Sequence, residues 1–459
     1  MACAVRTGYG SSETRVGVTK SGAVVFQPAI VPTGPGGLGF VPGAPGPSPQ
    51  TNASPAGLAV SHNLGASWSL IKPLGMTWQG NDAQIYIDRR TGRLFWYDFT
   101  PSPAGQDGLP PAQQYPIGLR MHLLWSADDG RTWTHSSSCC PAILFAENPR
   151  FVAAPPTREG PRPVGYPNVL YFCANSNIGI ISPPIVARRC SRSLDGGTTW
   201  TVVSILFSKP VPQHSECGPN GEDFGALDGN YPQAGPGGSL YVMIMCGGKT
   251  YLAKSTDQAV TWPIIRNRDG TPRAIPAAAP ESPAGSFEHV ELRTDGRGNL
   301  YLAQTAGTSL MLQVSRDEGR TWSRPQDVTA PRVFTVGTWN FAVRGRGHVA
   351  FSYYGQRAGQ ETWDGYLTET RDALEVLSGG RPVFWSAQLN DPARPLMYSD
   401  DQTRGTLYVN VDFIGVDIGP DGTPWASFVE DCGPNPSDPT CRAQRHQTRG
   451  FAGRFLWSS

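Results

Sequence analysis

The chain has 459 residues, 39% of them hydrophobic and only 16% charged, with a net charge of +1. Its 54 Gly and 43 Pro make it too turn-rich for a helical protein, and its Trp, Tyr and Phe make it too aromatic for a disordered one. No apolar run approaches the roughly 18 residues of a membrane span, and the near-neutral balance gives no electrostatic support to a nucleic-acid or membrane-surface partner.

In chain order, turn signals followed by short apolar-aromatic strands recur seven times. They are Ser21–Phe26, Thr91–Trp96, Tyr166–Phe172, Gly237–Val242, Gly296–Leu302, Gly345–Phe351 and Asp421–Ala426. Alternating segments such as Val290–Arg293 and Phe341–Arg344 stand just ahead of these signals and read as strands. Out of phase with them runs a second pattern, Ser-x-Asp-x-Gly-x-x-Trp. It is intact at Ser126–Trp133, Ser193–Trp200 and Ser315–Trp322. It is altered at Ser61–Trp68, with Asn63 for Asp, and at Ser255–Trp262, with Ala259 for Gly. The serines are 65, 67, 62 and 60 residues apart. A worn sixth copy is expected near Arg371-Asp372.

In this motif a strand delivers the Ser, Asp accepts hydrogen bonds from its own turn, Gly takes a positive φ and Trp packs beneath the hairpin. Four strands per unit and seven units of about 65 residues predict an all-β, single β-propeller domain over residues 1–459. Seven blades is the first expectation, six with an appended strand pair the second. Residues 1–12 are expected to add a closing strand to the last blade. The Pro/Gly-rich stretches 32–55 and 101–116 read as loops of the propeller.

Nine cysteines are present, without a CxxC pair or a zinc-type Cys/His spacing. Cys173 with Cys190, Cys217 with Cys246 and Cys432 with Cys441 are spaced for disulfides, which would indicate a secreted or extracytoplasmic protein. The alternative is buried, reduced thiols. The start of the chain lacks a basic-then-apolar leader, so it is expected to begin after a removed one. Asn52-Ala53-Ser54 matches a glycosylation acceptor.

The repeated Ser-x-Asp-x-Gly-x-x-Trp signature resembles the Asp-box (BNR) repeat of the sialidase (neuraminidase) superfamily, over residues 12 to 430. The resemblance implies a propeller that handles carbohydrate. In that family an Arg-Ile-Pro-type segment, three arginines for the substrate carboxylate, a Tyr/Glu nucleophile pair and an Asp acid/base mark the active site. This chain reads Glu13-Thr14-Arg15-Val16-Gly17-Val18 instead of Phe-Arg-Ile-Pro, with Arg15 in the position of the first clamp arginine. No motif locates the other two arginines or the Tyr/Glu pair.

Boxed turns occupy one face of such a propeller, so the site is expected on the other, just before each first strand. Candidates there are Glu13 and Arg15, Trp78 with Asn81 and Asp82, Glu147 and Arg150, the acid-rich segment His214 to Tyr231, Glu288 and His289, Trp339 and Asn340, and Asn410 and Asp412. Glycoside hydrolysis needs two carboxyl groups, one as acid and one as base or nucleophile. Asp82, Glu216 and Glu288 are the candidate catalytic acids, with His289 as a proton-transfer partner. Arg15, Arg150, Tyr231, Trp78, Trp339 and Tyr354 are candidate sugar contacts, the aromatic rings as stacking platforms. No P-loop, GxGxxG, HExxH or GxSxG is present, and no cofactor or metal is expected. The expected partner is a glycan or polysaccharide. The leading function is an exo-acting glycoside hydrolase; a polysaccharide lyase on uronic-acid glycans and a non-catalytic binding propeller are the alternatives.

Overall fold

The computed structural model describes residues 2–10, 13–29, 57–71, 84–101, 119–136, 146–177, 186–208, 232–246, 249–276, 290–397, 413–431 and 448–456. Among these residues the strands form seven antiparallel sheets, six of them built from consecutive segments of chain and the seventh joining the first strand to the last three. The innermost strands are Glu13–Val18, Gln84–Ile87, Ala146–Ala154, Gln233–Ala234, Val290–Thr294, Val333–Arg344 and Gly415–Ile418, in blades 1 to 7. Each inner strand packs beside the next, and that of blade 7 returns to blade 1, so the sheets close into a seven-bladed propeller.

Blade 7 is completed by the start of the chain. Ala2–Gly10 pairs with Thr448–Phe455 as its outermost strand, and Arg6 reaches across that strand to Glu430 of Pro424–Asp431 through Nε at 2.6 Å. The closing strand expected from residues 1–12 is therefore present. Blade 4 departs from the four-stranded expectation, with three named strands. Its outer edge continues through isolated bridges at Tyr251–Ala274 and Ala253–Ile264. Pro263 and Pro272 lack the N–H that a continuous ladder requires, which breaks the fourth strand into single contacts.

The core is divided between the blades. Apolar clusters fill the interfaces, for example Phe95, Tyr97, Phe151 and Phe172 between blades 2 and 3, and Tyr301, Leu312, Phe341 and Phe351 between blades 5 and 6. The closing interface between blades 7 and 1 holds two small sets, Val16, Val18, Val24 and Trp425, and Phe26, Ala59 and Ala452. Cys173 and Cys190 are register partners on adjacent strands of blade 3 and form a disulfide. Cys217, Cys432 and Cys441 lie outside the described residues.

The boxed turns follow the expected chemistry. In blade 5 the Asp317 carboxylate accepts the hydroxyl of Ser315 (2.8 Å) and both the amide (2.8 Å) and hydroxyl (2.7 Å) of Thr321. The Gly319 amide donates to Ser315 Oγ (2.9 Å), and Trp322 Nε1 donates to the Gly319 carbonyl (3.1 Å). Gly319 has φ 77°, a left-handed conformation that L side chains avoid. Near Arg371 the worn copy keeps only its first half. Thr370 donates to Asp372 (2.6 Å), and a 3-10 turn, Ala373–Ser378, replaces the Gly-Trp hairpin.

Antiparallel order places the boxed turns and the first-to-second strand turns on one face. The second-to-third strand loops and the blade linkers belong to the other, here called the linker face.

Candidate functional site

A central cavity of about 750 Å³ runs between the inner strands. It is lined by Arg15, Arg89, Arg90, Arg150, Arg293 and Arg344, against the carboxylates of Asp88, Asp295 and Asp417. These charges fall into two tiers, because each inner strand runs from the linker face to the turn face.

At the turn-face end the acids are occupied. Asp88 accepts from Tyr166 Oη, Asn168 Nδ2 (2.9 Å) and the Arg90 amide (3.0 Å). Asp295 accepts from Asn299 Nδ2 (2.6 Å) and Tyr301 Oη (2.9 Å). Arg89 leaves blade 2 and crosses to the far side of the channel. It donates to the Val343 carbonyl of blade 6 and to Asp417 of blade 7 (2.9 Å). Arg344 donates to the Ile418 carbonyl (2.9 Å), and burial, then the neighbouring Arg89 charge, holds its pKa below the usual arginine value. This end is a self-satisfied floor.

The linker-face tier is different. Arg15 is buried, and its Nε donates to Gln84 Oε1 of blade 2 (3.1 Å). Its guanidinium lies 4.2 Å from the centre of the Phe413 ring, and that of Arg150, from blade 3, lies 5.5 Å from the same ring. Arg293 of blade 5 forms an ion pair with Glu291 (Nη2–Oε2 2.7 Å) and donates through Nη2 to Asn340 Oδ1 of blade 6 (3.2 Å). Asn340 Nδ2 in turn donates to the Ile414 carbonyl (2.9 Å), next to Phe413. Three guanidiniums from blades 1, 3 and 5 are thus tied to one short segment, residues 413–414, at the start of blade 7. Glu291 is 1% exposed and faces Arg293, so the Arg293 charge is balanced locally.

Phenols in and near this space are poor bases. Tyr86 lines the cavity, and burial, followed by the Asp88 charge, pushes its pKa well above the tyrosine value. It keeps its proton at neutral pH and accepts the Ala153 amide (3.0 Å). Such a group can donate a hydrogen bond to a ligand but does not supply a phenolate nucleophile.

Of the residues singled out by sequence, Arg15, Arg150 and Asn340 come together at the cavity. Trp339 and Tyr354 are placed elsewhere. Trp339 is 2% exposed within the blade 5–6 cluster. Tyr354 is fully buried between blades 6 and 7, where its hydroxyl donates to the Val429 carbonyl (2.7 Å) and accepts the Val429 amide (2.8 Å). Neither ring lines the cavity, and packing on both faces leaves no room for a sugar to stack. Asp82, Glu216, Glu288, His289, Trp78 and Tyr231 lie outside the described residues, as do Asn81, Asn410 and Asp412. Sequence reading passed over Arg293, Gln84, Glu291 and Phe413 as site residues. The available signal was an arginine within an alternating inner-strand segment, seen at Arg15-Val-Gly-Val, Arg150-Phe-Val and Glu291-Leu-Arg293.

No protein-family model matches the chain, and no curated protein sequence is significantly similar to it. Solved structures are similar at low identity. The NanB sialidase from Streptococcus pneumoniae is 13% identical, with a TM-score of 0.40 over 97% of this chain and 69% of that one. A polysaccharide lyase of family PL25, an ulvan lyase, is 12% identical, with a TM-score of 0.46 over 92% and 93%. A puromycin-hydrolysing peptidase from Mycobacterium tuberculosis is 14% identical, with a TM-score of 0.44 over 95% of this chain and 53% of that one.

Proposed function

We propose that this chain is a carbohydrate-active propeller, an exo-acting glycoside hydrolase whose linker-face cavity receives a sugar bearing a negative charge. The observation that carries this reading is the convergence of Arg15, Arg150 and Arg293 on residues 413–414 at one mouth of the channel. Guanidiniums present forked donors matched to a carboxylate or sulfate. The three guanidiniums, that of Arg293 paired with Glu291, stand together in a concave, partly desolvated site. In this reading Asp82, Glu216 and Glu288 supply the acid and the base or nucleophile of hydrolysis, and His289 assists proton transfer. A lyase acting on uronic-acid glycans is the second reading. The same arginines would neutralise the uronate carboxylate while His289 or Tyr231 removed the adjacent proton. The expected compartment is extracytoplasmic, in keeping with the Cys173–Cys190 disulfide.

Purified protein screened against aryl-glycosides and uronic-acid polysaccharides, followed by reducing ends and by absorbance of unsaturated product, separates the readings. Release of sugar, abolished in one or more of Glu216→Gln, Asp82→Asn and Glu288→Gln, is the result expected. Unsaturated product would replace hydrolase by lyase. No product from any substrate, with binding on a glycan array, would make the protein a recognition module.

A further inference from the structure

One polar side chain in the wall of the cavity is buried and keeps a donor without an acceptor. Gln84 opens the inner strand of blade 2, Gln84–Ile87, at its linker-face end. It lines the cavity and is 3% exposed. One end of its carboxamide is committed. Arg15 Nε, from blade 1, donates to Gln84 Oε1 (3.1 Å), while Arg15 Nη1 donates to the Thr14 carbonyl (3.1 Å). A guanidinium carries no acceptor, so the atom of Gln84 that faces it is the oxygen. The orientation of the amide is thereby fixed, and Nε2 is the other branch. That nitrogen is buried and has no hydrogen-bond partner.

Buried amides are normally paired, because an unmatched donor keeps its full desolvation cost. The neighbouring amide of the same tier shows the contrast. Asn340 Oδ1 accepts from Arg293 and from the Phe341 amide (2.7 Å), and its Nδ2 donates to the Ile414 carbonyl. Gln84 instead holds donor capacity in reserve beside a guanidinium. The chemistry that completes it is an acceptor. A carboxylate has about four lone-pair sites, so it can accept from a guanidinium fork and from an amide together. An amide is also suited to this place because it adds N–H donors without burying a further cation next to Arg15.

We propose that Gln84 is a specificity-determining residue of the cavity: its Nε2 donates to the acidic group of a bound sugar while its Oε1 holds Arg15 in place. The inference rests on the reading of this cavity as a site for an acidic sugar, and it deepens that reading. The acidic group is received on the blade 1–2 side of the tier, beside Arg15, and in its ionised form. A neutral hydroxyl in the same place is a weaker acceptor, so the contact favours the anion over its neutral counterpart.

The test is calorimetric binding of a uronic-acid oligosaccharide and its neutral counterpart to the full chain, Gln84→Glu and Gln84→Met, with Arg150→Gln reporting on the site itself. Gln84→Glu keeps an acceptor for Arg15 but has no N–H, and Gln84→Met lacks both. The acidic sugar should bind about tenfold or more weakly in each, and the weak binding of the neutral one should not change. With glutamine side-chain nitrogens isotopically labelled in the wild-type chain, the NH2 resonance absent from both variants should shift with the acidic sugar and not with the neutral one. A residue that only held Arg15 would leave that resonance in place. Acidic binding that is lost in Arg150→Gln but unchanged in Gln84→Met, an equal loss for both sugars, or an unmoved Gln84 resonance at saturation would overturn the proposal and leave the anionic site standing. A wild-type chain that binds no acidic sugar would overturn both.

Discussion

At the scale of single residues, each boxed turn is an aspartate sharing its oxygens among the amides and hydroxyls of its own loop. Burial alone would raise the Asp317 carboxyl, but the amide and hydroxyl of Thr321, the Ser315 hydroxyl and the Arg320 amide outweigh it. The pKa therefore lies below the usual aspartate value. The same opposition, with the same outcome, holds at Asp128, Asp195 and Asp257. A carboxyl depressed in the folded state adds stability that is fully present above its unfolded value, about 3.9, and is lost as pH falls through its folded value. Thermal melts across a pH series should therefore hold their midpoint above about pH 4 and fall below it. Asp317→Ala removes three hydrogen bonds to a charged acceptor and should cost about 1–3 kcal/mol in denaturant unfolding. Asp317→Asn should cost less, because Asn63 already serves the first turn, accepting the Ser67 amide (2.9 Å) and donating to the Ser67 hydroxyl (2.7 Å). An alanine variant as stable as the wild type would show that the box is ornamental.

At the scale of strands and blades, the Cys173–Cys190 bond staples the second and third strands of blade 3 across a separation of 17 residues. Closing a loop of that size stabilises by about 3 kcal/mol in the chain-entropy account. The Cys173→Ser, Cys190→Ser double variant should therefore melt at a lower temperature, and reductant should lower the wild-type midpoint but not that of the variant. The blades were legible in the sequence because their signals are local. Ser126, Asp128, Gly130 and Trp133 all act within one turn, so their spacing survives translation into structure. The broken outer strand of blade 4 was less legible, since Pro263 and Pro272 matter only once the ladder they interrupt is known. The arginine tier was legible only in part. Arg15, Arg150 and Arg293 sit in separate blades, and nothing short of ring closure brings them to Phe413 and Ile414. Trp339 and Tyr354 were misjudged for a related reason. An aromatic on an inner or second strand can face a neighbouring blade or the channel, and here the neighbouring blade takes both.

At the scale of the whole molecule, the ring is closed by its own first strand, and the interface beside that closure carries two small apolar clusters in place of one large one. Deleting residues 2–10 removes six register pairs and the Arg6–Glu430 ion pair, and exposes the Thr448–Phe455 edge. With a net value of about 1 kcal/mol per backbone hydrogen bond, the loss should be on the order of 5 kcal/mol, read as a lowered melting temperature and increased aggregation. Closure also makes the channel. Its floor is occupied by Arg89 and by turn-bound acids, while the guanidiniums of Arg15 and Arg150 meet at Phe413 toward the opposite mouth. That convergence of guanidiniums is the physical basis for proposing the working face. The most direct measurement is calorimetric binding of an acidic oligosaccharide and its neutral counterpart to the wild-type chain, Arg150→Gln and Arg15→Lys. Arg293 is left intact because its loss would strand the buried Glu291. The acidic sugar should bind the wild type and lose affinity about tenfold or more in Arg150→Gln, and the neutral one should bind weakly throughout. Equal binding of the two sugars, or acidic binding unchanged in both variants, would contradict an anionic glycan site at this mouth.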